Sequence, residues 1–168
     1  MPRLSFRALC ALGFAACTFA MAFAYFYLER TRGYEPCPMC IFQRVAMVAA
    51  GLVFLIGAIQ GPKEWGRWVY GVLAGLMAAG GAAIAARHVW LQHLPEDQVP
   101  SCGPTLKYLL DMLPFTDVVA KVLRGDANCA KIDAEWLGLA LPTWTMVAFI
   151  GLALYALAAP ALARKAAA

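Results

Sequence analysis

Four uncharged runs, each long enough to cross a hydrocarbon core, constrain this chain more than any other feature. Ala8 to Leu28 is 21 residues without a charge, and about Ile41 to Gln60 is uncharged after Arg44. Trp68 to Ala86 is 19 uncharged residues rich in Gly and Ala, and about Leu141 to Ala163 completes the set. A spanning helix takes about 20 such residues. Composition agrees: 62% of the 168 residues are hydrophobic and 14% charged, where a soluble domain averages about 45–50% apolar and roughly 25% charged. The fold class expected is an all-α membrane protein, a four-transmembrane-helix bundle forming one domain over residues 1–168. Its helices are placed at about 8–28, 41–60, 68–86 and 141–163, with a long loop over 87–138. Short links favour an up-down-up-down order, and Pro142 suits a first helical turn, where its missing N–H costs little.

Arg3 and Arg7, followed by Ala22-Phe23-Ala24, imitate a signal peptide. A signal core spans roughly 7–15 residues, whereas this run has 21, so a retained anchor is expected. Basic residues then orient the bundle. Met1–Arg7, Gly61–Arg67 and Arg164–Ala168 carry two each, six in 19 residues, while 87–138 holds five against seven acidic ones. The positive-inside rule puts both termini and the Gly61–Arg67 link in the cytoplasm. The net charge of +4 is scattered over short loops and points to no nucleic-acid partner.

Gly71-x-x-x-Gly75, with Ala78 and Ala82, lays small residues along one face of the third helix, a pattern that lets membrane helices approach closely. An Ala/Gly-rich helix with no special partner is the plain alternative. The long loop has amphipathic order: Leu106, Leu109, Leu110 and Leu113, then Phe115, Val118, Val119, Val122 and Leu123. Two short helices separated by Pro114 follow, either lying in the membrane interface or packed on the bundle top. Hinges are expected at Pro100, Gly103-Pro104 and Gly125.

Of six cysteines, Cys10 and Cys17 fall inside the first helix, where a free thiol behaves as a small hydrophobe. The others lie at or beyond the outer surface: Cys37 and Cys40 in YEPCPMCIFQR, Cys102 and Cys129 in the loop. An even number in an oxidising compartment argues for two disulfides. Zinc is set aside because the second pair is 27 residues apart, without a second C-x-x-C, which departs from the usual ligand spacing; His88 and His93 could substitute as ligands, but their context is an interfacial helix end. A Cys102–Cys129 bridge could be a staple across the loop. A Cys37–Cys40 bridge closes too small a ring to stabilise much, so this pair reads as redox-active.

Thiolates carry disulfide chemistry. Cys40 starts the second helix, where free N–H groups and the helix dipole favour negative charge. Arg44 follows one turn later on the same face, and a guanidinium at the bilayer edge is a functional candidate. It could stabilise a Cys40 thiolate or charge growing on an electron acceptor; a snorkelling interfacial arginine is the alternative. No G-x-G-x-x-G, P-loop or C-x-x-C-H occurs; a dithiol turning over at the membrane surface needs an acceptor for two electrons, and a lipid-soluble quinone reaching the helix ends would serve.

The order C-P-M-C-I-F-Q-R, then R-H-V-W-L-Q, Cys102 and Cys129, then W-L-G-L-A-L-P-T-W, closely resembles the DsbB family of bacterial membrane thiol oxidases over nearly the whole chain. The resemblance implies a four-helix inner-membrane protein that reoxidises the periplasmic thiol oxidase DsbA and passes electrons to ubiquinone or menaquinone. It implies that Cys102 forms the mixed disulfide with DsbA, and that the released Cys129 attacks the Cys37–Cys40 disulfide. Cys40 would then deliver the electrons to quinone, assisted by Arg44. His88 matches a histidine associated with the quinone pocket. Gln43 departs from members that carry an acidic residue before the arginine. A paralogue serving another thioredoxin-like partner, a vitamin K epoxide reductase-type protein and a tetraspan scaffold without turnover are the alternatives.

Overall fold

The computed structural model describes residues 5–95, 98–99, 103, 105–131 and 135–167. Four of its helices are long and apolar enough to cross a membrane. The first, α1 (Phe6–Ala22), is capped by Ser5, whose hydroxyl accepts from the Ala8 N–H at 3.2 Å. That cap satisfies one of the orphan donors of the first turn. The helix then widens without a break into π-helical hydrogen bonding over Phe23–Thr31. It is followed by α2 (Pro38–Gln60), which stops at Gly61 in the left-handed conformation. The Arg7 guanidinium donates to Ala58 O at 2.9 Å there, a cation satisfying terminal carbonyls at the negative end of a helix.

The third helix, α3 (Trp65–Gln92), runs well past the uncharged stretch that ends at Ala86. Residues 87–92, assigned to the loop from hydropathy, are therefore helical. Hydropathy marks where charge becomes tolerable, not where the backbone ladder ends. Arg87 makes the extension comfortable: its side chain lies over the Trp90 ring, 4.0 Å from the centroid.

The loop folds as α4 (Leu106–Met112), α5 (Phe115–Arg124) and α6 (Ala127–Ala130). A hairpin of β1 (Glu135–Trp136) and β2 (Leu139–Ala140) leads into α7 (Leu141–Ala167). Pro142 does sit in the first turn of α7. The hairpin turns through Leu137 and Gly138, both at positive φ, and the Trp144 indole donates to Trp136 O at 3.0 Å.

Inside the bundle α1 packs on α2, α2 on α3 and α3 on α7, and α7 returns to α1. Cys10 and Cys17 are buried in this core among Ala50, Phe54, Ala78 and Phe149, as small hydrophobes. The small-residue face of α3 is where α7 seats: a Cβ on Gly71 would lie 2.8 Å from Ala156 O, and one on Gly81 2.3 Å from the Phe149 ring. Gly81→Val is therefore expected to destabilise the bundle by about 1–3 kcal/mol through overpacking. Gly80→Ala, whose new methyl meets nothing within 4 Å, should not. Thermal unfolding in detergent separates the two, and equal losses would contradict this packing.

A second core lies above the bundle, where Leu109, Val118 and Val122 are buried with Met39, Leu91 and Cys129. Of the two readings open for the loop helices, packing on the bundle top is the one these residues show; Tyr108, Leu110, Met112 and Phe115 stay exposed on the other side. Gly125 is the tight point. At φ +82°, a Cβ there would lie 2.2 Å from Leu91 Cδ1, so only glycine fits this turn. Arg87 fastens the same corner by donating to Leu123 O at 3.2 Å and Arg124 O at 3.4 Å.

Candidate redox site

The start of α2 builds the first half of the site. Cys37 takes the N-cap, with extended backbone, and Pro38 supplies a first-turn residue with its φ already set. The Cys37 sulfur accepts from the Cys40 N–H at 3.3 Å, and the two sulfurs approach to 2.9 Å. Both residues are half-buried. The helical turn thus holds the pair side by side, with free N–H groups pointed at the cap sulfur.

The other half comes from α3 and α6. Asp126 caps α6 by accepting from the Cys129 N–H at 3.0 Å, which turns Cys129 inward to a fully buried position. His88, also buried, has Nε2 3.0 Å from Cys129 O and 3.9 Å from Cys37 Sγ. Its Nδ1 faces the Gln43 amide nitrogen at 3.4 Å. Cys37 Sγ, Cys129 Sγ and a His88 ring nitrogen all lie within 4.8 Å of one another. Residues 41 and 51 apart in sequence from His88 therefore converge on one imidazole.

Arg44 does lie one turn beyond Cys40, and it forms an ion pair with Glu29 at the end of the π-helical segment. Both side chains are largely withdrawn from solvent, 25% and 21% exposed. Gln43, in contrast, turns away from the arginine and toward His88. Cys102 lies outside the described residues. Gly103 is described, and it passes beside the Asp126 cap, with room for a Cβ only 3.1 Å from the carboxylate.

Cys37, Cys40, Arg44 and His88 open on one cavity of about 280 Å³, walled by apolar side chains such as Met21 and Phe149. Gln92 lines it too. Among the described residues, its Oε1 is the one buried side-chain polar atom without a partner. An apolar chamber with a few convergent polar groups is the usual form of a small-molecule site.

Outside the spanning helices, Cys129 has its thiol pKa pushed far up, first by its hydrogen bond to Cys37 and then by burial. The neutral thiol is the favoured form, so reactivity is withheld as pH rises through the ordinary thiol range near about 8.5. Alkylation of Cys129 in the reduced protein should begin only above that range. Cys37→Ser removes the leading cause and should move the onset to lower pH, while burial keeps it above the free-thiol value. An unchanged alkylation profile would exclude the coupling.

Three of these residues carry no signal in the sequence that couples them. Glu29 is 15 positions from Arg44 and shares only its depth. Gln92 and Arg87 lay in what hydropathy assigns to the loop. Asp126 is different: Asp three residues before Cys129 is an N-cap pattern and could have been found.

Comparison with known proteins places the chain in a family. The family described as "Disulfide bond formation protein DsbB" matches residues 6–159. The chain belongs to the DsbB family. A "Disulfide bond formation protein B" from Xanthomonas oryzae pv. oryzae (strain MAFF 311018) is 49% identical over 164 residues, covering 97% of this chain and 95% of its own. One from Saccharophagus degradans is 48% identical over 148 residues, 88% and 89% of the two chains, and one from Hahella chejuensis is 49% identical over the same share. As a DsbB-family member, the protein is a multi-pass membrane oxidoreductase of disulfide bond formation. The tetraspan scaffold without turnover is thereby set aside.

Proposed function

We propose that this DsbB-family protein reoxidises a DsbA-like thiol oxidase in the bacterial periplasm and passes the electrons, through two disulfides, to a membrane quinone. The observation that carries the reading is the convergence of Cys129, from the loop, on Cys37 at the mouth of an apolar cavity that also exposes Cys40 and Arg44. The inner membrane is the location, with both termini cytoplasmic and the four outer cysteines periplasmic, as the distribution of basic residues supports.

The exchanges balance as follows. A DsbA thiolate attacks Cys102 of a Cys102–Cys129 disulfide and expels Cys129 as thiolate; the second DsbA thiol then displaces Cys102, leaving DsbA oxidised. Cys129 attacks Cys37 of the Cys37–Cys40 disulfide and expels Cys40. Cys102 next attacks Cys129 of the resulting Cys37–Cys129 bridge, expels Cys37 and restores the loop disulfide, so both electrons and the matching protons reside on Cys37 and Cys40. Attack on Cys37 rather than Cys40 is favoured because Cys37 Sγ is the one grouped with Cys129. His88, 3.9 Å from Cys37 Sγ, is placed to exchange a proton with that sulfur.

A bound quinone supplies a two-electron, two-proton acceptor. The residues present fit it: apolar walls for a flat ring, the Arg44 cation for an oxygen gaining charge, and the unpartnered Gln92 Oε1 for a hydroxyl donor. Cys40 faces the same space and closes the disulfide onto Cys37 as the electrons leave.

Structural disulfides typically lie below about −300 mV and could not oxidise DsbA at roughly −120 mV. Both pairs should therefore have potentials well above the structural range. The direct test combines purified protein, reduced DsbA and ubiquinone: thiols and quinone should disappear together, one DsbA disulfide per quinone. Loss of thiols without loss of quinone would sink the proposal.

A further inference from the structure

We infer that the reduced centre is also a metal site: Cys37 Sγ, Cys129 Sγ and His88 Nε2 form a three-ligand set for one zinc-like divalent ion. The sequence argues against zinc because Cys102 and Cys129 are far apart and unpaired with a second C-x-x-C. The fold removes that objection by drawing ligands from three different elements, α2, α3 and α6. Their donor atoms already lie within 4.8 Å of one another, and Cys37 Sγ to His88 Nε2 is 3.9 Å. A tetrahedral ion with Zn–S near 2.3 Å and Zn–N near 2.0–2.1 Å needs donors about 3.4–3.8 Å apart. The set must therefore contract by up to about 1 Å from its widest spacing. Cys129 can supply that movement, since it sits on the four-residue helix α6 rather than on a membrane span.

The surroundings suit a metal-bound imidazole. A ligating histidine needs its second ring nitrogen held by an acceptor, which fixes the tautomer. Gln43 is buried beside Nδ1 at 3.4 Å, and its amide can turn to present oxygen to an Nδ1–H; Nε2, which lies 3.0 Å from Cys129 O, gives up that contact and its proton to bind the ion. A glutamine stays neutral there, so the site's charge is set by the two thiolates alone. Three protein ligands with one position open is a recognised zinc arrangement. Binding needs no oxidant: each thiol gives a proton to solvent as its sulfur takes the ion. The ion and the Cys37–Cys40 or Cys37–Cys129 disulfide are mutually exclusive, because both use the Cys37 sulfur. Zinc would thus hold the centre in its dithiol form and arrest it.

The test is an anaerobic titration of the full-length reduced protein with Cd²⁺, followed by thiolate-to-cadmium charge-transfer absorption, and with Zn²⁺ in competition. One ion per chain should bind, and the oxidised protein should bind none. Cys129→Ser and His88→Asn should each weaken binding by about 10-fold or more; the asparagine keeps a hydrogen-bonding side chain, and thermal unfolding verifies that the variant remains folded. The Cys10→Ser/Cys17→Ser double variant and Cys102→Ser should bind as the wild type does. Bound ion should also protect Cys37 from alkylation until a chelator is added. Absence of saturable binding to the reduced protein would overturn the site, as would binding indifferent to His88→Asn or lost in Cys102→Ser. Because none of these readouts uses DsbA or quinone, the oxidase reading can stand while this inference fails, and the reverse.

Discussion

Cys40→Ser is expected to abolish quinone reduction, by at least about a thousandfold, while leaving the fold intact. The proposed route has only one sulfur that both faces the apolar cavity and can be expelled when Cys37 is attacked. Serine keeps the volume and the helix start but cannot form a disulfide or leave as a thiolate at neutral pH. Cys129 can still be released by DsbA in this variant, so a single round of DsbA oxidation should survive as a burst and then stop. Cys102→Ser gives the complementary result. It should lose steady-state oxidation of DsbA yet retain a C-x-x-C that small-molecule dithiols can reduce and quinone can reoxidise. Stopped-flow quinone absorbance together with thiol trapping separates the two. Continued full oxidation of DsbA by Cys102→Ser would break the order of the relay at its first step.

The membrane architecture was legible because its physics is local. A helix in hydrocarbon must satisfy its own backbone and needs about 20 apolar residues to do so, and that length is visible as an uncharged run. The same holds for the Cys37–Cys40 pair: spacing within one helical turn, a proline and a following arginine are all adjacent in the chain. The small-residue face of α3 was readable as a pattern, although its partner, Phe149 and Ala156 of α7, was not. What could not be read is what the topology brings together. His88 meets Cys129 across 41 residues and Cys37 across 51, and no periodicity links them. The end of α3 was misplaced because hydropathy senses the bilayer edge, and α3 continues beyond it to carry His88, Arg87 and Gln92 to the loop. Gln43 shows the same limit. Beside Arg44 in sequence, it is a quarter-turn away on the helix, and its buried amide serves the histidine.

Arg44 is where a functional and a purely structural role must be separated by experiment. Its pairing with Glu29 means that Arg44→Ala removes a cation and strands a carboxylate in a site largely closed to water. Breaking a buried pair on one side can cost about 3–5 kcal/mol; partial exposure here brings the expected loss below that. Stability and rate would then fall together, and the rate alone would prove nothing. The double variant Glu29→Ala/Arg44→Ala restores balance by removing both charges, so its thermal stability should return close to that of the wild type. If the guanidinium stabilises charge growing on the acceptor, kcat/KM for quinone should stay about 100-fold down in the double variant, equivalent to about 2.7 kcal/mol of transition-state stabilisation. Glu29→Ala alone frees the arginine from its partner and should hold or raise that rate. Arg44→Lys should fall between, since a point charge lacks the planar fork that can serve a carboxylate and an acceptor oxygen together. Recovery of both stability and rate in the double variant would reduce Arg44 to a partner for Glu29, and the electron exit would then rest on Cys40 and the cavity alone.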